Sequence, residues 1–324
     1  MNAHDRLATL SAACLSPHRI AIGRDVVAAA DEFLATHFGI DNPSTPEELL
    51  SKLERASLSN SAATKVLKAY EARNRDYGEF PEGSHEAVDQ RFYDAIAEPP
   101  FRGWVHSLKR AFILDSAVCL SWVCKALNID GPVLEVGCHA GYHALWLAST
   151  TGLSVTGLDL SKRAILAASA QSRKLNASAR FLASDWRHWK GDHTFDLLYS
   201  VDGPFWFETY DADVAGLIKT QLVDGGVFLV VGERNALPDV LEIAARYGLS
   251  CGMSDVVGGW TGQTFEGSVA LVFVKTGEIV APHPSTFDSD AAWNQGGFAS
   301  HANAPTTPLR EKTQSYYRSR GNPC

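Results

Sequence analysis

Three acidic residues, Glu135, Asp159 and Asp185, stand within or just past the end of short apolar runs, and Gly137 and Gly141 follow the first of them. A carboxylate has two oxygens and can accept two donors at once. Gly137 lets the backbone approach a ligand with no Cβ in the way. The stretch from Tyr142 onward reads as a helix, and the N–H groups at its start favour a carboxylate or phosphate. A dinucleotide loop would need glycine at G-x-G-x-x-G spacing; here His139 and Tyr142 occupy the second and third glycine positions. His139 at the loop tip and Asp202 after a later apolar run are placed to take a proton or to orient a nucleophile.

The run Val133-Leu-Glu135-Val-Gly137-Cys138-His139-Ala-Gly141 resembles the first motif of class I S-adenosylmethionine-dependent methyltransferases, an acid followed by glycines at alternate positions, with His139 in place of the middle glycine. Val155 to Asp159-Leu160-Ser161 resembles the second-strand motif, whose acid accepts both ribose hydroxyls. Phe181 to Asp185-Trp186 resembles the third, in which an acid takes the adenine amino group and the next side chain packs on the ring. Phe195 to Ser200-Val-Asp202-Gly203 resembles the fourth strand and its loop, and Leu222 to Val230 with Gly225-Gly226 resembles the turn into the fifth. The resemblance spans Asp130 to Lys275. It implies S-adenosylmethionine as cofactor, bound by Glu135, Gly137, Cys138, His139, Gly141, Asp159, Leu160, Asp185, Trp186 and Ser200. Asp202 and His139 would be the catalytic pair.

Methyl transfer is an in-line displacement on a carbon already activated by a positive sulfur, so placing the nucleophile accounts for much of the catalysis. A weak catalytic signature is therefore expected. Asp202-Gly-Pro-Phe205 distantly resembles the Asp/Asn-Pro-Pro-Tyr loop of amino-methyltransferases, and Val201-Asp202-Gly203 resembles catechol-type enzymes, some of which hold magnesium there. Asp202, Glu233 and Asn235 offer the hard oxygen atoms such an ion needs. Arg234 places a positive charge beside them, and no metal is expected.

The elements that must position these residues fall in three zones. Residues 1–127 read as helical: Val26, Val27, Ala30, Phe33, Leu34 and Phe38 recur at helical spacing. Ser44 ahead of Pro46, Glu47 and Glu48 opens another helix. Asn60 or Ser61 opens a third, a further helix carrying Phe92, Tyr93 and Ile96 stops at Pro99-Pro100, and Trp104 to Leu127 reads as one long helix. Residues 128–276 alternate β-branched runs with helical stretches, the pattern of a parallel sheet covered on both faces. The last two runs, 250–257 and 269–274, have glycines and no helix between them, which suits an antiparallel hairpin. The expected fold is α/β: a seven-stranded, mostly parallel Rossmann-like methyltransferase sheet ending in an antiparallel hairpin, preceded by an all-helical region. Residues 277–324 are polar, with few apolar residues for a core.

The chain carries a net charge of -8 over 324 residues. An acidic surface repels phosphate backbones, so nucleic acid is a poor substrate for it. The six cysteines are scattered, without metal spacing. The first residues carry Asp5 and Arg6 rather than an apolar signal core, and the apolar run Ala111–Val123 is short and broken by Asp115. The location expected is cytoplasmic, away from any membrane. The helical region is expected to act as a substrate lid or as a homodimer surface. Its aromatic residues, with Phe205 to Phe207, suit a small organic substrate accepting the methyl group on oxygen or nitrogen. A protein or peptide substrate, and a non-catalytic scaffold retaining the fold, are the competing readings.

Overall fold

The structure, a computed structural model, describes residues 1–14, 24–76, 85–204, 211–233, 249–256 and 268–276. The helical region comprises α1 (Ala3–Cys14), α2 (Arg24–Phe38), α3 (Pro46–Ser57), α4 (Ser61–Asp76), α5 (His85–Ile96), α6 (Phe101–His106), a 3-10 turn (Ser107–Lys109) and α7 (Arg110–Ala126). There follow β1 (Val133–Val136), α8 (Tyr142–Thr151), β2 (Val155–Asp159), α9 (Lys162–Leu175), β3 (Ala179–Ala183), β4 (Phe195–Val201), α10 (Asp211–Gln221), β5 (Leu222–Glu233), β6 (Leu249–Val256) and β7 (Ser268–Lys275).

The seven strands form one sheet in the order β3-β2-β1-β4-β5-β7-β6. The first five are parallel, and β7 runs antiparallel to both β5 and β6. Order reverses between β1 and β4, and a crevice beyond the carboxyl ends of those strands is where such sheets bind ligands. The central strands β1 and β4 are buried along their whole length, which explains why their sequences are mostly apolar rather than alternating. One face packs on α2, α7 and α8 through Leu34, Phe112, Val118, Leu145 and Trp146. The other packs on α10 through Leu134, Leu198, Val214, Ile218 and Phe228. A third cluster, with Leu49, Leu53, Val66, Phe92, Ile96 and Phe101, holds α3 to α6 together. No helix among the described residues is long and apolar enough to cross a membrane.

Local readings are corrected in three places. Thr45, not Ser44, caps α3: its hydroxyl accepts from Glu48 N–H at 3.2 Å, and the Glu48 carboxylate accepts from Thr45 N–H at 3.0 Å. The long helix expected from Trp104 starts at Phe101 and is broken at Ser107–Lys109. There the Ser107 carbonyl accepts both from Arg110 N–H within the 3-10 turn and from Ser44 N–H at 3.2 Å. Strand β5 starts at Leu222, before the Gly225-Gly226 turn expected to precede it; its register against β4 shifts between Phe195 and Leu197. The terminal antiparallel pair is present, with β7 inside and β6 at the edge; its connection lies outside the described residues, as do the helix read at 238–247 and the tail.

At the opposite end of the sheet, Arg6 of α1 is 3% exposed. Its guanidinium donates to both Asp196 oxygens, at 2.6 and 2.9 Å, and to the Leu127 and Gly225 carbonyls. Asp196 thus anchors α1 beneath the strands.

Candidate active site

The loop after β1 turns sharply because three of its residues take positive φ: Gly137 (77°), His139 (44°) and Gly141 (79°). The left-handed region costs a β-carbon-bearing residue roughly 1–2 kcal/mol, which is why a glycine suits position 139. A Cβ on Gly141 would come within 2.7 Å of the Phe181 ring, and one on Gly137 within 2.9 Å of Pro204. Both positions therefore need glycine for space as well as for conformation.

Asp159, at the end of β2, is the hub of the edge. One oxygen accepts from His139 N–H at 2.7 Å and the other from Ser161 N–H at 2.8 Å. Each oxygen keeps a second lone pair for a hydroxyl donor. Burial, opposed by those two N–H donors, pushes its carboxyl up to about 6. Glu135 is 2% exposed, and its carboxylate accepts from Ala144 N–H in the first turn of α8 at 3.0 Å, with His143 Nδ1 3.6 Å away. The chain itself thus supplies the anion that the start of α8 favours.

The remaining residues singled out by sequence lie as follows. Cys138 is buried in the core beneath the loop. Leu160 is half-buried, and its carbonyl accepts from Gln90 of α5 at 3.5 Å. Asp185 accepts from its neighbour Arg187, whose guanidinium holds its carboxyl below the usual range. Trp186 is 6% exposed and packs with Leu134, Val136 and Leu158. Ser200 is fully buried, and its hydroxyl donates to the Val136 carbonyl at 2.8 Å, tying β4 to the β1 loop. Asp202 has φ of 49° and its carboxylate lies 2.6 Å from Lys109 Nζ. Burial alone would raise the Asp202 carboxyl, but Lys109 outweighs it and the group is held low. Glu233 closes β5, opposite Ser268. Asn235, Arg234 and the aromatic run 205–207 lie outside the described residues. No cluster of three metal-ligating side chains exists among the described residues.

The helical region covers this edge. Ser161 Oγ donates to Asp94 of α5. His139 is 7% exposed; its ring stacks on His106 at 5.1 Å and lies 5.1 Å from the ring of Tyr93. His139 Nε2 stands 3.4 Å from the Tyr93 carbonyl, which only accepts, so Nε2 carries the proton and Nδ1 the lone pair. That Nδ1 is buried without a hydrogen-bond partner. His106 Nδ1 donates to the Arg102 carbonyl at 2.9 Å, with Tyr142 Oη 3.1 Å away, which leaves Nε2 as its lone-pair nitrogen. Burial brings the His106 imidazole down to about 4 and the His139 imidazole well below its usual value, so both are neutral at pH 7.

His106 and Lys109 were not singled out by sequence. Their signal was faint: Arg102, His106 and Lys109 make a polar stripe at spacings of four and three in an otherwise apolar segment. A cavity of about 600 Å³ lies elsewhere, lined by Ser121, Cys124, Asn128, Ile129 and Trp146 below the amino ends of the strands.

A strand, a glycine turn and an acid on the next strand lie together where the strand order reverses, the place at which doubly wound sheets bind ligands. The spare lone pairs of Asp159 fit the ribose hydroxyls of S-adenosylmethionine, whereas Gly137 and Gly141 pack against Pro204 and Phe181 of the chain itself. Residues 133–226, from β1 into β5, match the family model described as a methyltransferase domain. No curated protein matches the chain. Among solved structures, it is similar to the N-methyltransferase NodS of Bradyrhizobium japonicum WM9, at 19% identity over 51% of this chain and 97% of that one, with a TM-score of 0.44. It is also similar to the magnesium protoporphyrin IX methyltransferase ChlM of Synechocystis PCC 6803 with bound S-adenosylhomocysteine, at 16% identity over 62% and 97%, with a TM-score of 0.47. A TehB-like methyltransferase of Corynebacterium glutamicum shares 23% identity over 45% and 80%, with a TM-score of 0.37.

Proposed function

We propose that this enzyme transfers the methyl group of S-adenosylmethionine to an oxygen or nitrogen atom of a small organic molecule, held where the loop after β4 meets the helical region. The observation that carries the reading is the contact of Lys109 Nζ with the Asp202 carboxylate at 2.6 Å. It joins the 3-10 turn of the covering region to the end of β4, beside two neutral histidines. The cofactor supplies a methyl carbon already made electrophilic by its sulfonium. Asp159 would accept the ribose hydroxyls through its two spare lone pairs. Asp202, held as a carboxylate by Lys109, accepts a hydrogen bond from the acceptor's O–H or N–H and aims its lone pair. With the cofactor bound, the acceptor lone pair would form the new bond to carbon as the carbon–sulfur bond breaks and its electrons return to sulfur. The acceptor's proton passes to a neutral imidazole, His106 through Nε2 or His139 through Nδ1.

Lys109 on Asp202 also bears on metal dependence: an ammonium at that carboxylate competes with a dication. The test is a screen of small phenols, amines and carboxylic acids with labelled S-adenosylmethionine. Transfer to one or more of these and not to proteins of a cell extract is expected; transfer only to protein would replace this reading by a macromolecular substrate.

A further inference from the structure

A cavity of about 490 Å³ opens within the helical region. The end of α2, the turn into α3, Pro99, Pro100 and α6 enclose it, and none of its lining residues comes from the loops after β1 to β4. Arg102 stands in its wall at 5% exposure. Among the described residues its guanidinium makes no hydrogen bond and no ion pair; Nε is fully buried without a partner, and the cation lies over the Phe38 ring at 5.2 Å. Such a charge is costly to bury unless an anion meets it, and a phenyl face offsets only a fraction of that cost. The other charged groups on the lining are Lys52 and Asp41, both exposed; His37 also lines it, and burial lowers the His37 imidazole and keeps it neutral.

We infer that this cavity is a binding site for a small organic acid, whose carboxylate is held by the Arg102 guanidinium. A planar fork of N–H donors matches a planar carboxylate. The walls formed by Phe38, Trp104, Pro99 and Pro100 favour an apolar or aromatic body. Asp41 at the rim disfavours a dianion such as phosphate. The assignment stands apart from the proposed methyl acceptor, since it rests on the helical region alone.

The test uses the full chain and sodium benzoate as the probe, followed by calorimetry and thermal melting. Benzoate should bind the wild type, while its neutral isostere benzyl alcohol should not. Arg102→Gln should weaken benzoate by about ten- to a hundred-fold, the loss expected for a charged hydrogen-bonded contact, with affinity for S-adenosylhomocysteine unchanged. Arg102→Met removes the unpaired charge; it should melt at or above the wild-type temperature without benzoate and show no benzoate-induced rise. Benzyl alcohol binding as well as benzoate, or benzoate failing to bind the wild type, would overturn the proposal. So would phosphate binding more tightly than benzoate. Loss of S-adenosylhomocysteine affinity in Arg102→Gln would reassign the guanidinium to the cofactor's carboxylate and overturn it as well.

Discussion

The Lys109 ammonium and the Asp202 carboxylate meet at 2.6 Å although 93 residues separate them. Both side chains are partly open to solvent, at 44% and 31%, so the pair adds little to stability. Its consequence is positional. It keeps Asp202 ionised and fixes the 3-10 turn over the end of β4.

Replacing Asp202 by Asn keeps the shape and removes the charge. Turnover should fall by about ten- to a hundred-fold, the loss expected for a hydrogen bond to a charged group. Affinity for S-adenosylhomocysteine should stay within about two-fold. Lys109→Met should reproduce part of that loss. Chelator should leave activity unchanged, and recovery of a chelated enzyme by magnesium would place a metal at Asp202.

Asp159 should control cofactor affinity and its pH dependence. Asp159→Ala should weaken S-adenosylhomocysteine by about ten- to a hundred-fold. Because burial raises the carboxyl to about 6, and ribose hydroxyls donate to the ionised form, affinity should decline as pH falls through 6. Calorimetry at several pH values checks this, and Asp159→Asn should flatten the curve.

His106 should make stability pH-dependent in a known direction. Burial, the main cause, brings its folded-state value to about 4, below the 6.5 of an ordinary imidazole. Between those values the unfolded chain binds a proton that the folded chain does not, so stability falls as pH drops from about 6.5 towards 4. Asp159, raised instead of lowered, works in the opposite sense over part of that range. The diagnostic is therefore the difference between wild type and His106→Phe in urea unfolding, which should shrink towards low pH.

The positive φ of His139 gives a paired comparison. His139→Gly and His139→Ala both lose the ring contacts with Tyr93 and His106, but only glycine relaxes the backbone. The glycine variant should be the more stable of the two by about 1 kcal/mol in chemical denaturation. Equal stabilities would mean that the turn carries no strain at this residue.

Arg6 tests the anchor of α1. Removing one partner of a buried ion pair leaves the other charge uncompensated, at a cost of about 3–5 kcal/mol. Arg6→Ala should lower stability by that amount, measured by denaturant midpoint. Cofactor affinity measured well below the melting temperature should be retained, because the pair sits at the end of the sheet away from Asp159.

The sheet was legible because its determinants are local. Near-continuous apolar strands such as Val133–Val136 and Phe195–Val201 are buried on both faces, and helical stretches alternate with them at short range. The turn at Gly137 and Gly141 was legible for the same reason, since a positive φ and a close approach both demand glycine. The end of β2 at Asp159 followed from the length of a single apolar run. By contrast, a 3-10 turn at Ser107–Lys109 interrupts a helix that periodicity carried through it, and the Ser44 N–H that meets the Ser107 carbonyl there lies 63 positions back and reaches it only in the folded chain. Trp186 illustrates the same limit: its sequence position beside Asp185 suited a ring facing the crevice, and burial against Leu134 and Leu158 is set by how β1 and β2 lie together. What the amino-acid sequence determined is the strand order's local grammar and the acids at the strand ends. What the tertiary structure decided is the cover: Lys109 on Asp202, His106 on His139, and an Arg102 that has no ion-pair partner among the described residues beside a cavity. Those arrangements depend on loops closing over tens of residues, and no periodicity or propensity along the chain encodes which side chains such closure brings together.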